Sequence, residues 1–194
     1  MRKSVKNWAY LNWIISNNFK LLNDYLAAIK IIDFKLSSHQ IQIYTDGSSR
    51  GNPGPGGYGV VMISGSHRKE IAEGYRLTTN NRMELLSVIV ALESLKNPKS
   101  HVTIHSDSKY VVDSIEKKWV FGWEKKNFSG KKNSDLWMRF LLVYRRHHVR
   151  FVWVKGHAEN KENNRCDELA VAASFNATLK ADSWYETNGV TNDH

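Results

Sequence analysis

Between residues 41 and 77 three apolar runs follow one another with only turn-forming residues between them, and this succession limits the fold most. Ile41–Thr45 reads as a short strand. The glycines and prolines of Asp46–Gly57 read as a loop, since glycine reaches dihedrals other residues avoid and proline removes a donor. Tyr58–Ser64 and Ile71–Leu77 read as antiparallel strands joined by the turn Gly65-Ser66-His67. The period then changes. Leu85, Leu86, Ile89, Leu92 and Leu95 form one stripe of a helix over Asn81–Lys96, which stops before Pro98. Val102–Ser106 is a strand, Ser108–Lys118 and Asp135–Arg146 are helices, and Val149–Val154 is a strand. Gly156–Asn164 reads as a loop and Cys166–Ala177 as a helix. Three strands, helix, strand, helices, strand, helix describe an α/β layer fold. Its mixed five-stranded sheet has three antiparallel strands, then parallel ones, flanked by helices.

The 194 residues suffice for one well-buried domain. A net charge of +9 favours a polyanionic partner, although a generic basic protein with inflated Lys and Asn has the same balance. The single cysteine, Cys166, excludes an internal disulfide and a cysteine-built zinc site, and fits a reducing, cytoplasmic setting. No apolar run approaches the roughly 18 residues of a membrane span. The chain divides into an N-terminal extension over 1–39, a domain over 40–180 and a polar, frayed tail over 181–194. The extension contains a candidate amphipathic helix at Asn18–Ile32 and carries +4. An extra nucleic-acid contact, an organellar transit peptide and a mis-assigned start compete to explain it.

Four acidic residues sit where strands end or helices begin. Asp46 closes the first apolar run, Glu84 lies early in a helix, Asp107 follows Val102–Ser106, and Asp167 opens the last helical pattern. Each has a plain reading. Asp46-Gly47 is a common turn pair, Asn81 with Glu84 resembles a capping box, and Asp107 suits an N-cap. The second reading takes all four together. Carboxylates gathered at one sheet edge repel one another, and a hard divalent cation such as Mg2+ relieves that repulsion through oxygen ligands. With the basic charge, this points to metal-assisted cleavage of a nucleic-acid phosphodiester. His157, in a loop ten residues before Asp167, is either solvated or a proton carrier for such a site.

Several ordered segments closely resemble the bacterial ribonuclease HI family. They are Tyr44-Thr45-Asp46-Gly47-Ser48 with the glycine–proline run after it, Thr78–Leu85, Ser106–Val111, Trp153–Ala158 and Asn164–Ala170. The likeness spans about Ile41 to Leu179, leaving out the extension and the tail. It implies a ribonuclease H-like fold and endonucleolytic hydrolysis of the RNA strand in an RNA–DNA hybrid. It also implies a monomer with little sequence specificity that leaves 5′-phosphate and 3′-hydroxyl ends. Two Mg2+ ions are implied, with Mn2+ able to substitute. By motif, Asp46, Glu84, Asp107 and Asp167 match the catalytic carboxylates and His157 the assisting histidine. Asn52, Asn80 and Lys109 fall where the family touches the RNA strand, although Lys109 replaces a common Gln. Thr79 and Asn133 match positions that bind a DNA-strand phosphate.

The segment Lys117–Lys132 resembles the family's basic protrusion, a few residues shortened. Six lysines against Glu124 give it +5, equal to the net charge of everything beyond residue 39. Lys125 and Lys126 would neutralise phosphates without reading sequence. Trp119 and Trp123 either pack against deoxyribose or anchor the protrusion. Two other readings remain at this level: a hybrid-binding module without chemistry, and a nuclease or transposase of the same fold acting on plain DNA.

Overall fold

The computed structural model describes Asn18, Tyr25, residues 40–156 and residues 160–189. The expected helix over 18–32 falls outside these residues apart from Asn18 and Tyr25, and His157 falls outside them entirely. Five strands form one sheet: β1 (Ile41–Ser49), β2 (Gly54–Ser64), β3 (His67–Thr78), β4 (His101–Ser106) and β5 (His148–Trp153). Their spatial order is β3-β2-β1-β4-β5. The β1–β2 and β2–β3 pairs are antiparallel, and β1–β4 and β4–β5 are parallel. This is the mixed sheet expected from the order of runs. The helices are α1 (Asn80–Glu93), α2 (Lys109–Glu116), α3 (Trp119–Glu124), α4 (Ser134–Tyr144) and α5 (Lys161–Ser174), with a π-helical turn at Tyr185–Gly189.

The glycine-rich stretch is less of a loop than its composition suggests. β1 runs on to Ser49 and β2 begins at Gly54, so Ser48 pairs with Gly57 and Ser49 with Gly56. The glycines serve packing. In β2, Tyr58, Val60 and Met62 belong to the main apolar cluster. The alternate positions Gly57 and Gly59 lie under α5, where an added Cβ on Gly59 would stand 2.1 Å from the Cys166 carbonyl oxygen. Alternation along a strand thus gives one face side chains and the other a bare track on which a helix rests at close range.

On the opposite face α1 is buried on more sides than one stripe. Met83, Leu85, Leu86, Val88, Ile89 and Leu92 are all buried, because α4 packs over it while its inner side meets β1 and β2. Trp137 and Phe140 from α4 are fully buried in the same cluster.

Three local expectations change. Thr79, not Asn81, caps α1, its hydroxyl accepting from the Arg82 N–H. Ser108, not Asp107, caps α2. Helix α5 begins at Lys161, capped by Asn160, so Asp167 sits in its second turn rather than at its start. The tail also departs from expectation. Lys180 bridges to Tyr75 beside β3, Asp182 is buried, and Tyr185 is 3% exposed. Arg82, buried in α1, is the reason: Asp182 takes hydrogen bonds from its Nε at 2.6 Å and its Nη2 at 2.8 Å.

Candidate active site

The parallel register of β1 and β4 creates the site. Thr45 pairs with Ser106 at the carboxyl ends of the two strands, and the next residues are Asp46 and Asp107. Two carboxylates therefore leave adjacent strands at the same level. The third arrives because β1 carries a glycine there. A Cβ on Gly47 would stand 2.2 Å from the Glu84 nitrogen, so only glycine lets the first turns of α1 lie directly on the strand. Oxygens of Asp46, Glu84 and Asp107 then lie within 4.8 Å of one another. Gly156 makes room for Asp107 in the same way: a Cβ there would meet Asp107 Oδ2 at 2.6 Å.

Few donors serve these acids. Asp46 Oδ1 accepts from the Gly47 N–H at 2.8 Å, Glu84 Oε1 from Asn80 Nδ2 at 3.3 Å, and Asp107 Oδ2 from Asn163 Nδ2 at 3.4 Å. Glu84 Oε2 and Asp107 Oδ1 are buried with no hydrogen-bond partner. Burial, followed by repulsion from Asp107, pushes Asp46 up to about 7. Burial first, then Asp46 and Asp107, holds Glu84 well above the usual carboxylate range. Asp167 is half-buried and bears on Asp46 through its charge and a side-chain hydrogen bond, yet stands outside the tight trio. Buried carboxylate oxygens without donors are costly. Oxygen-only donors, clustered and electron-rich, fit a hard divalent cation. Three of the four carboxylates, Asp46, Glu84 and Asp107, are thus brought together, with Asp167 outside the trio, and the caps are Thr79 and Ser108 rather than Asn81 and Asp107.

The other candidates spread outward. Asn52 is exposed, and its Oδ1 accepts from the Asn80 N–H at 3.2 Å. Thr79 and Asn52 line an open groove of about 810 Å³ beside the acids, together with Lys131, Lys132 and Asn133. Asn133 is buried, donating to the Tyr110 hydroxyl at 3.1 Å and accepting from Arg82 Nη1 at 3.4 Å. Lys109 is exposed, with its ammonium 5.3 Å from the Trp153 ring centre. Trp123 packs edge-on against Trp137 with centroids 5.7 Å apart, which is the anchoring alternative, whereas Trp119 is 47% exposed. Lys125 and Lys126 are exposed. A smaller hollow of about 460 Å³, between His101 and His148 at the other ends of the strands, contains none of the acids. The Cys166 thiol is buried and pushed far up by that burial, so it is no nucleophile.

Sequence reasoning missed Asn163, the donor to Asp107. Its signal was the spacing Asn163, Asp167, Ala170 on one helical face, obscured by the polar first turn of α5. It also missed Arg82, whose Nη1 and Nη2 donate to Asp135 at 2.9 and 2.8 Å in addition to the bonds with Asp182.

A mixed sheet with a partly buried acid cluster where its parallel strands end has the form of an α/β hydrolase whose carboxylates could hold a metal. Residues 38–175 match the family model described as RNase H. The chain is 56% identical over 151 residues to Ribonuclease H of Syntrophus aciditrophicus (strain SB), covering 75% of this chain and 87% of that protein. It is 53% identical over 146 residues to Ribonuclease HI of Pasteurella multocida (strain Pm70), covering 73% and 94%. Among solved structures it resembles LC9-RNase H1, a type 1 RNase H with the type 2 active-site motif. The TM-score is 0.66 and the identity 32%, covering 76% of this chain and 79% of that one. It also resembles LC11-RNase H1 in complex with an RNA/DNA hybrid, with a TM-score of 0.53 and 27% identity, covering 69% and 95%. The chain belongs to the ribonuclease H family, in its bacterial ribonuclease HI branch. No helix among the described residues is long and apolar enough to cross a membrane.

Proposed function

We infer that this chain is an endoribonuclease that hydrolyses the RNA strand of RNA–DNA hybrids, leaving 5′-phosphate and 3′-hydroxyl ends with little sequence preference. The observation that carries this reading is the carboxylate trio of buried Asp46 and Glu84 and half-buried Asp107, with two buried oxygens lacking any hydrogen-bond partner, in a chain of the ribonuclease H family. Asp46, Glu84, Asp107 and Asp167 are assigned as holders of two Mg2+ ions, with Mn2+ an acceptable substitute. When bound, such a pair supplies an acidified water and stabilisation for the leaving oxygen.

The chain's own residues do the rest. Asn80 and Asn163 hold the carboxylates of Glu84 and Asp107 in orientation. Gly47 and Gly156 keep the backbone close enough for the acids to converge. Asn52 and Asn80 are assigned to the RNA strand, where 2′-hydroxyls distinguish it. Lys109 is assigned there too, its ammonium in place of the family's usual amide. Thr79 and Asn133 are assigned to a phosphate of the DNA strand. Trp119, Lys125 and Lys126 extend that contact, with Trp123 fixing their platform. His157 is assigned to proton transfer at the scissile oxygen. A monomer working in the cytoplasm completes the reading.

Incubating the protein with Mg2+ and a hybrid labelled on its RNA strand tests this. Internal cuts in the RNA, absent with Asp46→Asn, are expected. A hybrid that is shifted in a gel but left whole would instead mark a binding module, and cleavage of plain DNA would move the chain to another activity of the fold.

A further inference from the structure

We propose that the C-terminal turn forms one wall of the hybrid-binding groove and that Trp184 there contacts the DNA strand. This rests on the hybrid-nuclease reading and adds a residue that lies outside the motifs carrying the family resemblance.

The groove beside the acids is lined on one side by Asn52, Thr79 and Asn81, on another by Lys131 and Lys132, and on a third by Trp184, Tyr185 and Gly189. That third wall is built into the fold. The Lys180 N–H donates to the Gly74 carbonyl and the Arg76 N–H to the Lys180 carbonyl, both at 2.9 Å, stitching the segment along β3. Asp182 accepts from Thr78 Oγ1 at 2.8 Å as well as from Arg82. Tyr185 is buried, and Arg76 pairs with Glu186 at 2.7 Å. Trp184 is only half-buried. Its ring has the Arg82 guanidinium 5.2 Å from its centre, and it also lines the groove.

The chemistry of the walls selects a ligand. Lysine ammoniums neutralise phosphates. An indole offers a flat apolar surface to a sugar or base. A ribose placed against it would lose hydration from its 2′-hydroxyl, whereas a deoxyribose has nothing there to desolvate. The groove contains none of the carboxylates. Of its lining residues Asn52 is assigned to the RNA strand, but Thr79 and Asn133, which line it together with Trp184, are assigned to a phosphate of the DNA strand, so the strand that meets Trp184 is the one not being cut, the DNA strand.

The test uses the full chain. Trp184→Ala is expected to raise KM for the hybrid about tenfold, the size of one lost aromatic contact, with kcat within about twofold. In an Asp46→Asn background the preference for hybrid over RNA duplex, read by anisotropy, should shrink by a similar factor, and Trp184→Phe should recover most of it. The salt slope of hybrid affinity should stay unchanged in Trp184→Ala, since no ion pair is lost, while Lys131→Ala lowers it by about one. An unchanged KM in a folded Trp184→Ala protein would overturn the inference. So would hybrid and RNA duplex binding falling by equal factors, the mark of a merely structural role. If the alanine variant does not fold, Trp184→Leu decides by the same ratio, because it keeps apolar bulk and removes the ring. Failure of the wild-type chain to cut any hybrid would sink the underlying reading. A wild type that cuts, with a Trp184→Ala variant of the same KM, would sink this inference alone.

Discussion

Arg82 and Glu84 leave the same helix two residues apart and both are buried, yet their charges meet opposite treatment. Arg82 is surrounded by acceptors: Asp135 and Asp182 each take two hydrogen bonds from it and Asn133 takes one. Its pairing outweighs its burial, so its charge is locked on. Glu84 has only weak help from Ser108 and Asn80 against two acidic neighbours, and one of its oxygens has no hydrogen-bond partner. A charge that holds the fold together is completed from within the chain. A charge left incomplete is waiting for something from outside it, here a divalent cation. A short stretch of α1 thus carries both a charge fully paired within the chain and one that is not.

Exchanging the two residues for neutral ones should separate the roles. Glu84→Gln is expected to lower hybrid cleavage by about a thousandfold or more, since a lost ligand removes several kcal/mol of transition-state stabilisation. The metal-free protein should meanwhile become no less stable, because a repelled charge has gone. Parallel cleavage assays and thermal melts check both halves. A melting temperature that drops by many degrees would mean the cluster is structural. Arg82→Met should do the reverse to stability, costing about 3–5 kcal/mol in urea unfolding, because it leaves two carboxylates facing a buried gap. A loss below 1 kcal/mol would show that water reaches Asp135 and Asp182 and that the contrast is overstated.

This contrast also marks what could be read from the chain beforehand. Asp46 and Asp107 stood out because each follows an apolar run, Glu84 and Asp167 because each lies near the start of a helical pattern, and the succession of strands was legible from alternation and turns. Arg82 was not. Its partners lie 53 and 100 residues away, at the start of α4 and in a tail whose polar composition suggested fraying. Only the fold brings them together. The early start of α5 was hidden for a different reason. Lys161, Glu162, Asn163 and Asn164 look like loop residues, but Asn160 caps two N–H groups and the exposed side of the first turn simply needs polar residues. The glycines were noticed but only partly placed: a loop was expected as far as Gly57, where β2 has already begun at Gly54, and the packing of Gly57 and Gly59 against a helix was not foreseen. Loops and close helix–strand contacts both call for glycine, and composition does not tell them apart.

The acid cluster should also make metal-free stability depend on pH in a definite direction. Asp46 titrates near 7 in the folded chain and at about 3.9 in an unfolded one. The folded state therefore holds a proton that the unfolded state has released. The resulting stability is full below about pH 4, declines as pH rises, and is gone above about 7, with Glu84 acting in the same direction. In chelator, melts from pH 5 to 8 should fall more steeply for the wild type than for Asp46→Asn. Adding Mg2+ should raise the melting temperature more at pH 8 than at pH 5.5, because the cation competes with protons for the same oxygens. Identical pH slopes for wild type and Asp46→Asn would show that the cluster ionises without strain.

The smallest effect is expected at Arg139, which pairs with Glu93 through two bonds of 2.8 and 2.7 Å and joins α4 to α1 much as Arg82 joins α1 to α4 and the tail. Arg139 meets Glu93 with the same two-pronged geometry by which Arg82 meets each of its carboxylates. Exposure separates them: the Arg139 side chain is 45% exposed and that of Arg82 is 1% exposed. Water and salt screen the outer pair, and the carboxylate it would abandon can be solvated at once. Arg139→Ala should cost less than about 1 kcal/mol in urea unfolding, and less still in high salt. The Arg82 loss should respond less to salt, since Asp182 is buried and Asp135 is only 17% exposed. If the two variants lost equal stability and shared one salt dependence, burial would not be what distinguishes a charge that holds this fold from one that decorates it.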